Sequence, residues 1–231
     1  MSNPRPDSGP LTQEDARVSP VSGESRSKGR LEAFSDGVFA IAITLLVLEI
    51  AVPEVAGKHL LGELWGERQI FLAYFLAFMA IGVVWIEHST LVDALDHIDA
   101  VFMRLNLLLL LLVAFVPFPA RLMSEYFHAR DPAGERVAIV YFGLVLVLQS
   151  AMLLVLGRHA EREGLYGERT ADERTEESRI RYQLAPSLIL YPVAAIIGLL
   201  SPYLGVALYL LIALYLAIPL KTVRRMLKRT S

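Results

Sequence analysis

Six apolar runs alternate with polar connections along the chain, at about 34–52, 69–88, 101–120, 137–157, 183–201 and 203–220. Each holds about 18–21 residues, enough to cross ~30 Å of hydrocarbon at a rise of 1.5 Å per residue. Hydrocarbon offers no water to the backbone, so such runs predict helices. The expected fold is all-α, a polytopic membrane protein with six transmembrane helices. Pro53 ends the first run, and residues 53–67 read as a loop or short surface segment with Trp65 at the membrane interface. A polar linker (Asp93, Asp96, His97, Asp99) separates the second and third runs. Pro117 and Pro119 close the third, followed by a charged loop around 121–136. Pro186 and Pro192 lie within the fifth, where neighbouring helices satisfy the freed carbonyls, and Ser201-Pro202 turns tightly into the sixth.

The ends lack this pattern. Residues 1–28 are rich in Pro, Ser, Gly and charge, and read as a disordered tail that cannot bury enough surface to offset its ordering entropy. Residues 158–181 are strongly charged and read as a water-exposed, partly helical segment. The chain thus divides into a tail (1–28), a six-helix membrane domain (29–222) and a basic tail (223–231). A run that starts so far from the N-terminus, interrupted by Thr44 and Glu49, is a retained helix rather than a cleaved leader.

Within the first run, Ile41, Leu45 and Leu48 recur at i, i+4, i+7 and share one helix face. Taken alone, that spacing suits lipid or a neighbouring helix as well as a pore. Gly37, Ala40 and Ala42 are small enough for close helix packing, and Thr44 is expected to bond back to the carbonyl of Ala40. The first turns carry Arg30, Ser35 and Asp36, and an acidic side chain beside an apolar run is costly in lipid.

Charge distribution orients the spans. The N-terminal tail, the 158–181 segment and the C-terminal tail fall on one side and hold 16 of the 22 Lys and Arg residues. The positive-inside rule then makes both termini cytoplasmic, in a cell inner (plasma) membrane. Alternating directions bring Arg30, Ser35 and Asp36 of the first span to the same depth as Trp85 and His88 of the second and Arg104 and Asn106 of the third. We expect an ionised Asp36 held by Arg30 or Arg104, with Ser35, His88 and Asn106 completing hydrogen bonds, as a clamp between helices rather than an ion site. Glu49 lies ~20 Å farther along the first helix, where it either gathers cations at the outer mouth or snorkels to the headgroups.

Composition agrees with a membrane protein: 55% of residues are hydrophobic, and mean hydropathy is +0.48. The net charge of −2 names no partner, and the absence of cysteine excludes disulfides and thiolate metal sites. Nucleotide-binding, zinc-protease and serine-hydrolase motifs are missing, so no enzyme, metal or cofactor is expected. His97 with Asp93 and Asp99 fits a solvated face better than a metal site. The 158–181 segment lacks the interleaved aromatics of a nucleic-acid platform and reads by default as a solvated cytosolic helix, with anionic membrane lipid headgroups as the alternative partner. No TVGYG-type potassium filter is present.

The opening Arg30-Leu-Glu-Ala-Phe34-Ser35-Asp36, an RxxxFSD pattern at the head of an apolar run, resembles the transmembrane protein 175 family of potassium-permeable channels. Trp85-Ile-Glu-His88, Arg104-Leu-Asn106 and Pro117-Phe-Pro119 extend the resemblance over the first three spans. It implies six spans per repeat, with a single-repeat chain assembling as a homotetramer whose first helices line the pore. Ile41 would then be the narrowest ring, Leu45 and Leu48 further layers, and Thr44 a polar layer tied to potassium preference. Potassium would be the permeant ion, with Asp36 and Glu49 favouring cations. The rival reading is an ion- or proton-coupled transporter titrating Asp36, Glu49 and His88.

Overall fold

The computed structural model describes residues 21–48, 50, 60–66, 68–166 and 187–217. Among these the chain is helical without strands: α1 Val21–Leu48, α2 Leu60–Gly66, α3 Arg68–Asp93, α4 Ala100–Phe115, α5 Pro117–Ala129, α6 Pro132–Arg162, α7 Ser187–Leu200 and α8 Pro202–Ala217. Four stretches are long and apolar enough to cross a membrane: Ser27–Leu48, Arg68–Asp93, Ala100–Ala129 and Pro132–Arg162. The shorter apolar helices α7 and α8 occupy the places of the expected fifth and sixth spans.

α3 is the central strut. It packs against α1, α5, α6 and α8, while α4 packs between α1 and α6. Its small residues Ala73, Ala77 and Ala80 are buried at i, i+4, i+7, which lets neighbouring helices approach closely.

Three boundaries differ from the sequence expectation. α1 begins at Val21, so part of the expected tail is helix; Lys28 and Glu32 (3.7 Å) support it as an i, i+4 pair. Residues 1–20 and 218–231, including the basic tail, lie outside the described residues, as does most of the 158–181 segment. The prolines after α4 restart a helix instead of ending one. Pro117 has no N–H for the carbonyl of Val113, which accepts from Val116 instead (3.1 Å), and Pro117 takes the first position of α5, where no N–H is required. The expected loop at 121–136 shrinks to a corner. Arg130 adopts a left-handed conformation (φ 53°, ψ 41°), and Asp131 caps α6 by accepting from the backbone N–H of Ala133.

Ser201 joins α7 to α8 in a hairpin whose backbones nearly touch. A Cβ on Gly205 would lie 2.8 Å from the Cα of Gly198, and backbone cannot yield as a flexible side chain does. Tyr209 pins this hairpin to α6 by donating to the carbonyl of Ile139 (3.1 Å). Gly205→Val is therefore expected to separate α7 from α8. Fluorescence-detected gel filtration should show a large loss of monodisperse protein, whereas the exposed Leu204→Val should behave as the parent.

Candidate functional site

α1 has two unlike faces. Leu31, Ser35, Phe39, Ala42 and Leu46 are buried against α3 and α4. Phe34, Gly37, Ile41, Thr44 and Leu48, spaced by alternating threes and fours, form a continuous exposed seam on another face. Ile41 is 60% and Leu48 74% exposed, with Leu45 (43%) beside them. Asp36 and Ala40 are exposed as well. A face combining a carboxylate, glycine, alanine and threonine with branched side chains is a poor surface to turn to lipid tails. Small residues and heptad-like spacing suit contact with other helices. Thr44 donates to the carbonyl of Ile41 (2.9 Å), three residues back, not to that of Ala40 as expected.

The buried face carries a polar chain. Asn106 of α4 donates from Nδ2 to Ser35 Oγ of α1 (2.9 Å), and its Oδ1 lies 2.8 Å from His88 Nε2 of α3. All three side chains are at most 2% exposed. Because the amide nitrogen is committed to Ser35, Oδ1 can only accept, so His88 carries a proton on Nε2. His88 Nδ1 is buried without a hydrogen-bond partner, and the ring packs 5.5 Å from that of Phe39. Beside this chain, Trp85 Nε1 donates to Asp36 Oδ1 (2.8 Å). Three helices are thus tied by side-chain bonds at one level.

The structure brings together Ser35, Asp36, Trp85, His88 and Asn106, but not the two arginines. Arg30 and Arg104 are exposed, and among the described residues neither forms an ion pair with Asp36. The expected arginine clamp is replaced by the indole of Trp85. Glu49, expected at the outer mouth, lies outside the described residues.

Sequence reasoning missed a second polar junction at the same end of the bundle. Asp99 caps α4 by accepting from the backbone N–H of Phe102 (2.6 Å), and its two oxygens lie 3.0 and 2.9 Å from His159 Nε2 of α6. Lys28 of α1 donates to the carbonyls of Leu95 (2.7 Å) and Asp93 (3.3 Å) in the α3–α4 linker. The N–H of Asp96 bonds the carbonyl of Leu165 (3.0 Å). The available signal was an aspartate immediately before an apolar helix, a standard N-cap pattern. No group of three candidate metal ligands occurs among the described residues.

Desolvation raises the Asp99 carboxyl, but the bonds from Phe102 and His159 outweigh it and hold the group below its usual value. The stability it contributes is complete above about pH 3.9 and is lost as pH falls through its depressed value. Asp99→Asn keeps the shape and the cap, since asparagine caps as well as aspartate, but removes the charge facing His159. It should cost about 1 kcal/mol and flatten the acid limb of a thermal-midpoint-against-pH curve. An unchanged acid limb would remove Asp99 from the junction.

A family model described as the endosomal/lysosomal potassium channel TMEM175 matches residues 30–117, which contain most of α1, all of α3 and α4, and this polar chain. A Streptomyces collinus protein named as a potassium channel is 38% identical over 81% of this chain and 90% of its own length. The chain belongs to the TMEM175 family. A Chamaesiphon minutus potassium channel is 35% identical over 84% of this chain and 96% of its own. The crystal structure of a lysosomal potassium-selective channel TMEM175 homolog from Chamaesiphon minutus superposes with a TM-score of 0.72 at 36% identity, covering 83% of this chain and 97% of that one. This TMEM175 member is therefore a multi-pass membrane protein and not an enzyme.

Proposed function

We propose that this chain is one subunit of a homotetrameric, potassium-permeable cation channel whose pore is lined by four copies of α1. The observation that carries the reading is the exposed seam on α1, apolar yet studded with small and polar residues and unpartnered by the other described residues of its own chain. Four such helices around an axis would turn Ile41, Leu45 and Leu48 inward as stacked collars, with Thr44 between them. A collar without oxygen ligands stops ions by dewetting and conducts once the helices widen and hydrate it. With no carbonyl filter, selectivity would rest on the Thr44 layer and on the cation-favouring charges of Asp36 and Glu49. The basic tails and the 158–181 segment put both termini in the cytoplasm of a plasma-membrane protein. In this reading, six spans between residues 29 and 222 form the channel domain.

The names of the relatives support a channel more than a coupled transporter. The Asp36 and His88 side chains are each engaged by a neighbouring helix of the same chain, which suits a fixed clamp better than a moving carrier. Liposomes holding the purified protein under a potassium gradient should show ATP-independent current proportional to driving force. Saturable flux coupled to protons or sodium would overturn the proposal in favour of a transporter. Thr44→Ala, which removes an exposed hydroxyl with its neighbouring methyl, should lower the potassium-to-sodium permeability ratio several-fold with tetramers intact. An unaltered ratio in reversal-potential measurements would remove Thr44 from selectivity.

A further inference from the structure

At the opposite end of α3 from His88, ~30 Å away, a pocket of about 350 Å³ opens between the start of α3, the second half of α5 and the start of α8. Met123 and Phe127 are buried in its wall, while Leu72 and Tyr203 are exposed at its rim. Tyr203 packs edge-on against Phe127, with ring centres 5.2 Å apart. Charge and amide enter at one end alone, as Arg68 and Gln69, the first residues of α3. Leu72, one turn deeper, begins the apolar stretch. The pocket is thus amphipathic along the membrane normal.

Two polar groups here are incompletely used. Gln69 Oε1 is buried and receives no hydrogen bond, and nearly all buried acceptors in folded proteins have a partner. Arg68 donates one long bond to the carbonyl of Trp65 (3.4 Å) and has no carboxylate partner among the described residues. The missing occupant must supply an anion for a guanidinium, a hydrogen-bond donor for an amide oxygen, and an apolar body reaching toward the membrane centre.

We propose that this pocket binds an anionic phospholipid with a hydroxylated headgroup, of the phosphatidylglycerol type. Its phosphate meets Arg68, a headgroup hydroxyl donates to Gln69 Oε1 once that amide, closed to water in the free pocket, turns toward it, and an acyl chain lies along Leu72 and Met123. A choline headgroup has no donor for Gln69 and carries a cation toward Arg68, so the same pocket discriminates against it. The site requires only that α3 begin at a membrane surface, and stands apart from the pore reading.

The test is native mass spectrometry of the full chain in detergent, titrated with phosphatidylglycerol or with phosphatidylcholine of the same acyl chains. Phosphatidylglycerol should be retained at least tenfold more strongly, and Arg68→Gln should reduce its retention about tenfold. Gln69→Leu leaves net charge unchanged, so a comparable loss there separates a built site from general attraction to basic surface. Leu72→Trp, at the exposed rim, should close the pocket without touching either polar group and also lose the lipid. Glycerol 3-phosphate, the headgroup without chains, should not compete. Equal retention of the two lipids, undiminished retention in Gln69→Leu, or displacement by glycerol 3-phosphate would each overturn the proposal.

Discussion

Ile41→Asn is expected to raise resting potassium conductance at least tenfold while leaving folding and assembly intact. The fold tolerates the change because Ile41 is 60% exposed in the single chain and lies off the buried face of Leu31, Phe39, Ala42 and Leu46. The pore would not tolerate it. In the proposed tetramer, four branched hydrocarbon side chains around a narrow axis would offer water and potassium no ligand, so the barrier would be the cost of stripping or excluding water. Four amides offer four carbonyl oxygens and room for water at the same level. A fall of only 1.4 kcal/mol in a permeation barrier gives about a tenfold rise in rate, less than one good hydrogen bond to an ion provides. Single-channel recording or liposome flux reads the effect directly, and gel filtration verifies assembly. Leu48→Asn, on the same seam, should have a smaller effect if Ile41 is the narrowest ring. Unchanged conductance in an intact Ile41→Asn tetramer would place the constriction elsewhere.

Most of the helical framework was legible because hydrocarbon thickness and helical rise leave apolar runs little freedom. The second and fourth predicted runs sit inside α3 and α6; α3 runs more than a turn past its run only at the C-terminal end, and α6 does so at both ends. What periodicity could not reveal was the role of Pro117 and Pro119, since proline is equally at home just after one helix and in the first turn of the next. The arginine clamp misread direction, not depth. Arg30 and Asp36 are six residues apart, which places them on different faces of α1, since only neighbours three or four apart stack. Arg104 is two residues from Asn106, so once Asn106 turns inward toward Ser35, Arg104 turns away. Trp85 escaped as the partner of Asp36 because that bond spans 49 residues and depends on how α3 is rotated against α1. Rotation is fixed by packing, as in the buried alanines of α3, and a hydropathy pattern does not carry it.

Asn106→Leu should be the most damaging single change in the polar chain, more so than Ser35→Ala, although both sever the same bond. Asn106 bridges two helices: its amide donates to Ser35 while its oxygen accepts from His88. A leucine, branched like asparagine but bulkier, removes both partners, leaving a buried hydroxyl without its donor and an imidazole with neither nitrogen bonded. Stranded groups of this kind cost about 1–3 kcal/mol each, and nearby hydrocarbon offers no water to relieve them. Ser35→Ala also breaks the Asn106–Ser35 bond, but it takes the hydroxyl away with it. The His88–Asn106 bond survives and a single buried amide hydrogen is stranded, so the cost should be that of one such group, about 1–3 kcal/mol, against two in Asn106→Leu. Thermal midpoints in detergent should therefore rank Asn106→Leu well below Ser35→Ala. The double variant should fall less than the two losses added, because the stranded Ser35 hydroxyl is then absent. Equal losses for the two single variants, or strict additivity in the double, would mean that the amide does not bridge α1 and α3, and that α1 is seated by the Trp85–Asp36 bond and the apolar face of Phe39 and Leu46 instead.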